Sequence, residues 1–358
     1  MFLYLDKSIL KCLSDPAPHN VVDGIQVLAL MLRSGVHLVS GDREVLSALS
    51  EFSDISTSAR AIFKKSVARH AQTGSVFKSM STYALIDFGR NGLESSYEND
   101  KKIIKIPIEH VANLVAQAAT DIVYEDVNDA LIYDAVARWY SSTILNNPNL
   151  PTRSTPIQGG GSRTFAAYDL KQKDANTFCL CITDSDKKYP DDEPGETSSK
   201  VRKIEDAKKP LSFHLDLDFH EIENLIPLSF LDRLAGTEEA KKIIAELRKA
   251  ENNQNKVAKL YWDFKKGLRG HYVKTCEGFR GYWHQALDAA PLTCAVECTL
   301  SRCDCFLIKP WPLKQDLKSA IERKETMDPS ECEVTQNLWS EIGKTIVSWT
   351  ISSSPQLA

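Results

Sequence analysis

Phe178-Cys179-Leu180-Cys181-Ile182-Thr183-Asp184-Ser185-Asp186 decides how the chain is read. An apolar, β-favouring run leads straight into two aspartates one residue apart, and the chain then turns polar at Lys187-Lys188-Tyr189-Pro190-Asp191-Asp192. That pattern predicts a buried strand delivering acids at its carboxyl end. In an open parallel sheet, ligands bind just beyond the carboxyl ends of the strands, so the position suits a function. Two neighbouring carboxylates repel unless a cation lies between them, and hard oxygen donors favour Mg²⁺ or Mn²⁺. The competing reading of an isolated Asp-x-Asp is a solvated strand exit, and the rest of the sequence decides between the two.

Upstream, Asp121-Ile122-Val123-Tyr124-Glu125 reads as another strand ending on an acid, followed by a helix from Asp126 to Tyr140. Asp129 falls one helical turn after Glu125, so the two carboxylates can face a common point. Between the strands, Asn146 to Thr155 reads as a turn, and Gly159-Gly160-Gly161 allows close backbone approach to a phosphate or to a neighbouring strand. Downstream, residues 187 to 209 read as a long charged loop, Leu211 to Asp218 alternates as a strand should, and Phe219-His220-Glu221-Ile222-Glu223-Asn224-Leu225-Ile226-Pro227 follows directly. Glu223 suits either a further ligand or the cap of the helix it opens, and the cap is favoured.

Residues 1 to 106 read as a small α/β unit. Strands are expected at Phe2 to Leu5, Val36 to Val39, Tyr83 to Ile86 and Ile103 to Ile106, with helices at Val21 to Arg33 and Ser58 to His70; residues 91 to 102 read as a loop. Its acids at strand ends resemble, weakly, those of PIN-like nuclease domains, but Asp42 is expected to cap the helix that follows it. A second unit starts at residue 107 with a helix from Glu109 to Ala119.

Taken together, a glutamate after a first strand, an aspartate one turn on, a glycine-rich turn, an Asp-x-Asp after a hydrophobic strand and an Ile-Glu-Asn-Leu-Ile-Pro segment resemble the Toprim domain, in the variety found in overcoming-lysogenization-defect (OLD) nucleases and related phage-defence effectors. The resemblance implies a parallel sheet flanked by helices over 107–280, between an N-terminal α/β domain over 1–106 and a helical, cysteine-containing extension over 281–358. It implies an Mg²⁺-dependent endonuclease, with Glu125 and Asp129 on one side of the metal site and Asp184 and Asp186 on the other. A lysine steadying the transition state is expected too, Lys265 or Lys266, with Lys266 preferred. Asp126 stands where the family's glutamate has a glycine beside it. The family's proteins carry an ATPase, but the sequence holds no Gly-x-x-x-x-Gly-Lys-Ser/Thr, so the nucleotide gate is expected in the N-terminal unit, in a separate ATPase or sensor protein, or nowhere.

From Lys256 to Arg280 the chain is basic and aromatic. Lys256, Lys259, Lys265, Arg269, Lys274 and Arg280, interleaved with Tyr261, Trp262, Phe264, Tyr272 and Phe279, suit a surface that tracks phosphates and stacks bases, DNA before RNA. Cys294, Cys298, Cys303 and Cys305 could hold a structural Zn²⁺, although their spacing lacks paired Cys-x-x-Cys. Val334 to Ile351, with Trp339 and Trp349 on one stripe, reads as a core or partner-binding helix.

The composition is that of a folded protein: 358 residues, 42% hydrophobic and 26% charged, with a net charge of -4 that excludes a global polycation. Nine cysteines without the dense spacing of a secreted scaffold, an N-terminus without a charged leader and no apolar run approaching the roughly 18 residues of a membrane span predict a cytoplasmic protein that does not enter membranes. The alternative to a nuclease is a non-catalytic nucleic-acid or partner-binding subunit whose acids are structural.

Overall fold

The structure is a computed structural model that describes residues 1–13, 16–206, 209–252, 257–287, 305–323 and 325–356. The chain is α/β, with two mostly parallel sheets flanked by helices.

The first sheet comprises β1 (Phe2–Leu5), β2 (Leu38–Gly41), β3 (Thr82–Asp87), β4 (Glu94–Glu98) and β5 (Lys101–Pro107), in the order β2-β1-β3-β5-β4. Only β4 is antiparallel to its neighbour. Helices α1 (His19–Ser34), α2 (Arg43–Glu51) and α3 (Thr57–Lys78) accompany it.

Three expectations for this unit need correction. The polar stretch 91–102 is not a loop: Asn99 and Asp100 take left-handed backbone at φ 49° and 61°, closing a hairpin between β4 and β5. Its charged side chains are those of an exposed edge strand, where burial imposes no alternation. α3 runs on to Lys78 instead of ending at His70. Asp42 stands at the start of α2 but makes no side-chain cap bond; it accepts a hydrogen bond from the Tyr4 hydroxyl at 3.3 Å.

The second sheet follows α4 (Ile108–Val111). That helix is shorter than expected because the Val115 amide turns away to the Asn176 carbonyl at 3.0 Å. In chain order come β6 (Thr120–Tyr124), α5 (Ala130–Trp139), β7 (Ser154–Gln158), α6 (Thr164–Asp174), β8 (Cys179–Thr183), α7 (Glu196–Ile204) and β9 (Ser212–Asp216). β7 occupies residues partly read as a turn, and α7 occupies part of the presumed charged loop. α7 is amphipathic: Thr197, Ser198 and Val201 are buried, while the Ser198 hydroxyl donates to Asp216 at 2.8 Å.

All four strands are parallel, in the order β7-β6-β8-β9. β6 and β8 are buried along their whole length, as the central strands of such a sheet must be. From β6 the chain passes to β7 on one side, and from β8 to β9 on the other. The carboxyl ends of β6 and β8 therefore flank the point where the strand order reverses, which is where such sheets open a crevice. Glu125 follows β6 and Asp184 follows β8.

The glycine turn serves this arrangement through backbone contact with the neighbouring strand. The Gly159 amide donates to the Tyr124 carbonyl at 2.7 Å, and a Cβ on Gly159 would lie 2.5 Å from that oxygen. Gly160 and Gly161 donate to the Glu125 carbonyl at 3.1 and 3.2 Å.

After the sheet come α8 (Leu228–Leu234), α9 (Glu238–Asn252), β10 (Leu268–Arg269), α10 (Gly270–Thr275), α11 (Glu277–Ala286), β11 (Phe306–Ile308), α12 (Lys314–Glu322) and α13 (Glu333–Thr350). β10 and β11 pair antiparallel. α13 lies against α5 and β3 with Trp339 and Trp349 fully buried, so it is a core helix joining the two sheets in one continuous hydrophobic interior. Among the described residues no helix is long and apolar enough to cross a membrane.

Candidate metal centre

At the crevice between β6 and β8 a cavity of about 490 Å³ is lined by Glu125, Asp129, Asp184, Glu223 and Lys265. The elements place these groups by backbone bonds. The Glu125 carboxylate accepts from the Asp184 amide at 3.2 Å, and the Asp184 carboxylate accepts from the Ile222 amide at 3.1 Å. Glu125, Asp184 and the segment that bears Glu223 are thus locked in sequence around one space. Asp129 is held by the Asp126 amide at 3.3 Å, in a reciprocal cap at the entry to α5. Gln158, at the end of β7, clamps the same turn by accepting from the Val127 amide and donating to the Glu125 carbonyl.

The carboxyls are packed more closely than free carboxylates tolerate. Burial, then the charges of Asp186 and Asp129, push the Glu125 carboxyl up to about 8. Burial, then Glu223 and Asp126, push Asp129 up to about 7. Burial and the charges of Glu125, Asp129 and Glu223 raise Asp184 as well. Such a group is short of positive charge, and among the described residues only one ammonium is held by ion pairs to it. One Glu223 carboxylate oxygen, Oε2, is buried with no hydrogen-bond partner. Several oxygen donors around a polar cavity, one of them unsatisfied, fit a hard divalent cation.

The ammonium is that of Lys265. It lies 2.8 Å from Glu221 and 3.4 Å from Glu223. Burial works against its charge, but Glu223 and Glu221 outweigh that and raise its pKa. Glu221 also accepts the Phe264 amide at 3.0 Å. Asn224 donates to the Lys259 and Trp262 carbonyls at 2.6 and 2.8 Å and accepts the Glu221 amide at 2.8 Å. The Glu-Ile-Glu-Asn segment is therefore the cradle of the Lys265 loop.

Neither family models, nor curated proteins, nor solved structures gave a match to this chain.

Several positions read from the sequence fall elsewhere. Asp186 does not line the cavity: the backbone turns left-handed there, at φ 55°, its amide binds the His220 carbonyl, and its exposed side chain lies against Gly195. Lys266 points to solvent, 72% exposed and paired with Asp263 at 3.7 Å, whereas Lys265 lines the cavity. Glu223 is not the cap of its turn; Glu221 holds that position, leaving Glu223 to face the cavity.

Part of the basic, aromatic stretch is interior, while Tyr272 is half-buried and Lys265 is 43% exposed. Trp262, Phe264 and Phe279 are at most 1% exposed, and Tyr261 is buried too. Lys259 is buried, donating to the Ile226 carbonyl at 2.9 Å. Arg269 is half-buried over the Phe306 ring. Arg280 is exposed beside Glu277, while Lys256 and the Lys274 side chain lie outside the described residues. So do Cys294, Cys298 and Cys303 of the proposed zinc set; Cys305 is half-buried, and its carbonyl accepts from Gly270.

One further group of possible ligands, His220, Glu221 and Asp263, lies behind Lys265. Its atoms are engaged internally. His220 reaches the Lys187 carbonyl at 2.9 Å and Asp263 at 3.4 Å, and Asp263 accepts the Lys265 and Lys266 amides. Burial opposes ionisation of Asp263, but the His220 hydrogen bond and charge together with the Lys266 amide and ammonium outweigh it and hold the carboxyl down at about 2. This group shapes the loop that carries Lys265.

Proposed function

We propose that this chain is a divalent-metal-dependent nuclease with a Toprim-type site, cleaving phosphodiester bonds in nucleic acid. The observation that carries the reading is the meeting of Glu125, Asp129, Asp184 and Glu223 with Lys265 in one cavity at the reversal point of a parallel sheet. Glu125, Asp129, Asp184 and Glu223 would hold Mg²⁺ or Mn²⁺, which when bound polarises a phosphoryl oxygen and lowers the pKa of a water molecule. Lys265, fixed by Glu221, faces the same cavity and offsets negative charge that develops on the phosphate. The resemblance to OLD-type effectors extends the proposal to anti-phage defence, with a separate ATPase or sensor as trigger and a cytoplasmic setting.

A non-catalytic binding subunit is the second reading; burial of Lys259, Trp262, Phe264 and Phe279 leaves only the rest of the basic, aromatic stretch to carry it. The test is incubation of the purified protein with plasmid, linear duplex, single-stranded DNA and total RNA, with Mg²⁺, Mn²⁺ or EDTA, beside Asp184→Asn. Metal-dependent cleavage that disappears in the variant is the expected result. Cleavage retained by the variant, or independent of metal, overturns the proposed site.

A further inference from the structure

The cavity has a second cationic wall that comes from the far end of the chain. Leu317, Lys318 and Ile321 of α12 line it together with the acids. Leu317 and Ile321 are buried anchors, whereas Lys318 is exposed and makes no ion pair or hydrogen bond among the described residues. Its placement is not incidental to the site. The strand that leads to α12, β11, pairs with β10 directly after the Lys265 loop, with Leu268 opposite Ile308. The Trp311 amide donates to the Phe264 carbonyl at 2.8 Å, one residue before Lys265. Gly267, at φ 68°, permits this approach: a Cβ there would lie 2.7 Å from the Ile308 carbonyl. Lys265 and Lys318 are therefore carried by two arms of one small unit.

The two lysines differ in what they are free to do. Lys265 is committed to Glu221 and Glu223. Lys318 is an uncommitted ammonium on a flexible stem at the edge of a cavity lined by five carboxylates, those of Glu125, Asp126, Asp129, Asp184 and Glu223. We propose that Lys318 is a substrate-binding residue that contacts a backbone phosphate of the nucleic acid entering the cavity, so that the C-terminal segment completes the site. This rests on the nuclease reading given above.

The experiment measures binding rather than turnover. A short fluorescent single-stranded oligodeoxynucleotide is titrated with the full-length protein in Ca²⁺, and the affinity is followed by anisotropy over a series of KCl concentrations. The wild type is compared with Lys318→Ala, Lys318→Arg and, as a control on the first sheet, the exposed Lys64→Ala. Loss of one phosphate contact reduces the slope of log K against log salt by ~0.7 and weakens binding about fivefold, the upper end for one exposed ion pair. That result in Lys318→Ala, with Lys318→Arg and Lys64→Ala like the wild type, is expected. A Lys318→Ala protein with unchanged affinity and slope overturns the inference and leaves the nuclease reading standing. No binding by the wild type, together with no metal-dependent cleavage, overturns both.

Discussion

Glu221 and Lys265 are paired at 2.8 Å, and the same carboxylate accepts the amide of Phe264. A buried acid thus fixes both the backbone and the charged tip of the lysine that faces the acid cavity. Lys265→Ala is expected to lower kcat by ~10²–10³, the scale for losing one fixed group that stabilises developing charge. Glu221→Gln keeps the Phe264 bond but loosens the ammonium, and ~10-fold is expected for such an outer partner. Lys266→Ala should stay within about twofold, since its partner is an exposed-side contact with Asp263. Steady-state kinetics on the preferred substrate separate the three; equal losses in Lys265→Ala and Lys266→Ala would remove the distinction between them.

Crowded carboxylates cost stability when no cation is bound. Asp184→Asn removes one charge from the group while its remaining side-chain oxygen can still accept the Ile222 amide. In EDTA the variant should melt higher than the wild type by roughly 2 °C, the shift for ~1 kcal/mol in a chain of this size. Added Mg²⁺ should stabilise the wild type by mass action and leave the variant unmoved. Differential scanning fluorimetry in both conditions reads the two effects, and a variant that responds to Mg²⁺ like the wild type would take Asp184 out of the metal set.

The elements that carry the site were legible because their signals are local. The apolar runs before Glu125 and Asp184 are buried strands, and the acids stand at their ends. What was not legible depended on backbone direction and on which side of an element faces the interior. Asp186 looks equivalent to Asp184 in sequence, yet its backbone is left-handed and its exposed side chain lies against Gly195 instead of lining the cavity, near enough for its charge to raise Glu125. Glu221 and Glu223 differ only in which one caps the turn, a choice made by Asn224 and the Lys265 loop, more than thirty residues downstream. Lys259 and its aromatic neighbours carry the composition of a nucleic-acid surface, but α9 and the Ile222–Leu225 turn pack against the Ala258–Tyr261 turn that holds the first of them. Lys318 carried no signal at all, because long-range contacts, the β10–β11 pairing and the Trp311–Phe264 bond, bring α12 to the cavity.

The raised carboxyls give the site a pH signature. Glu125 ionises near 8 against an ordinary 4.5, and Asp129 near 7 against 3.8. Between the unfolded and folded values the native protein holds more protons than the unfolded chain, so the stability of the metal-free protein falls as pH rises through that window. A divalent cation must displace those protons, so its affinity should rise over the same range. Melting temperatures from about pH 5 to about pH 8, in EDTA and in Mg²⁺, should therefore diverge steadily, with the metal's stabilisation largest at the alkaline end. A Mg²⁺ effect that does not vary with pH would count against ionisable carboxyls as the ligands.

α13 supports the site from beneath. Trp339 is fully buried, packs edge-on against Trp139 of α5 and donates its indole N–H to the Leu225 carbonyl at 2.9 Å. Leu225 ends the turn that holds Glu223, so this bond ties the core helix to the acid cavity. Trp339→Ala should cost ~3–5 kcal/mol by loss of buried surface and the cavity left behind. Trp339→Phe retains an aromatic ring but leaves the Leu225 carbonyl without its donor, at a cost of ~1–3 kcal/mol for the unsatisfied group alone. Urea unfolding followed by circular dichroism measures both. Because the turn is held from below, Trp339→Phe should also weaken Mg²⁺ stabilisation of the folded protein, whereas an equally destabilising substitution of buried Leu49 in α2, on the first sheet, should not. If both variants lose the Mg²⁺ response to the same extent, the Leu225 bond has no specific part in shaping the site.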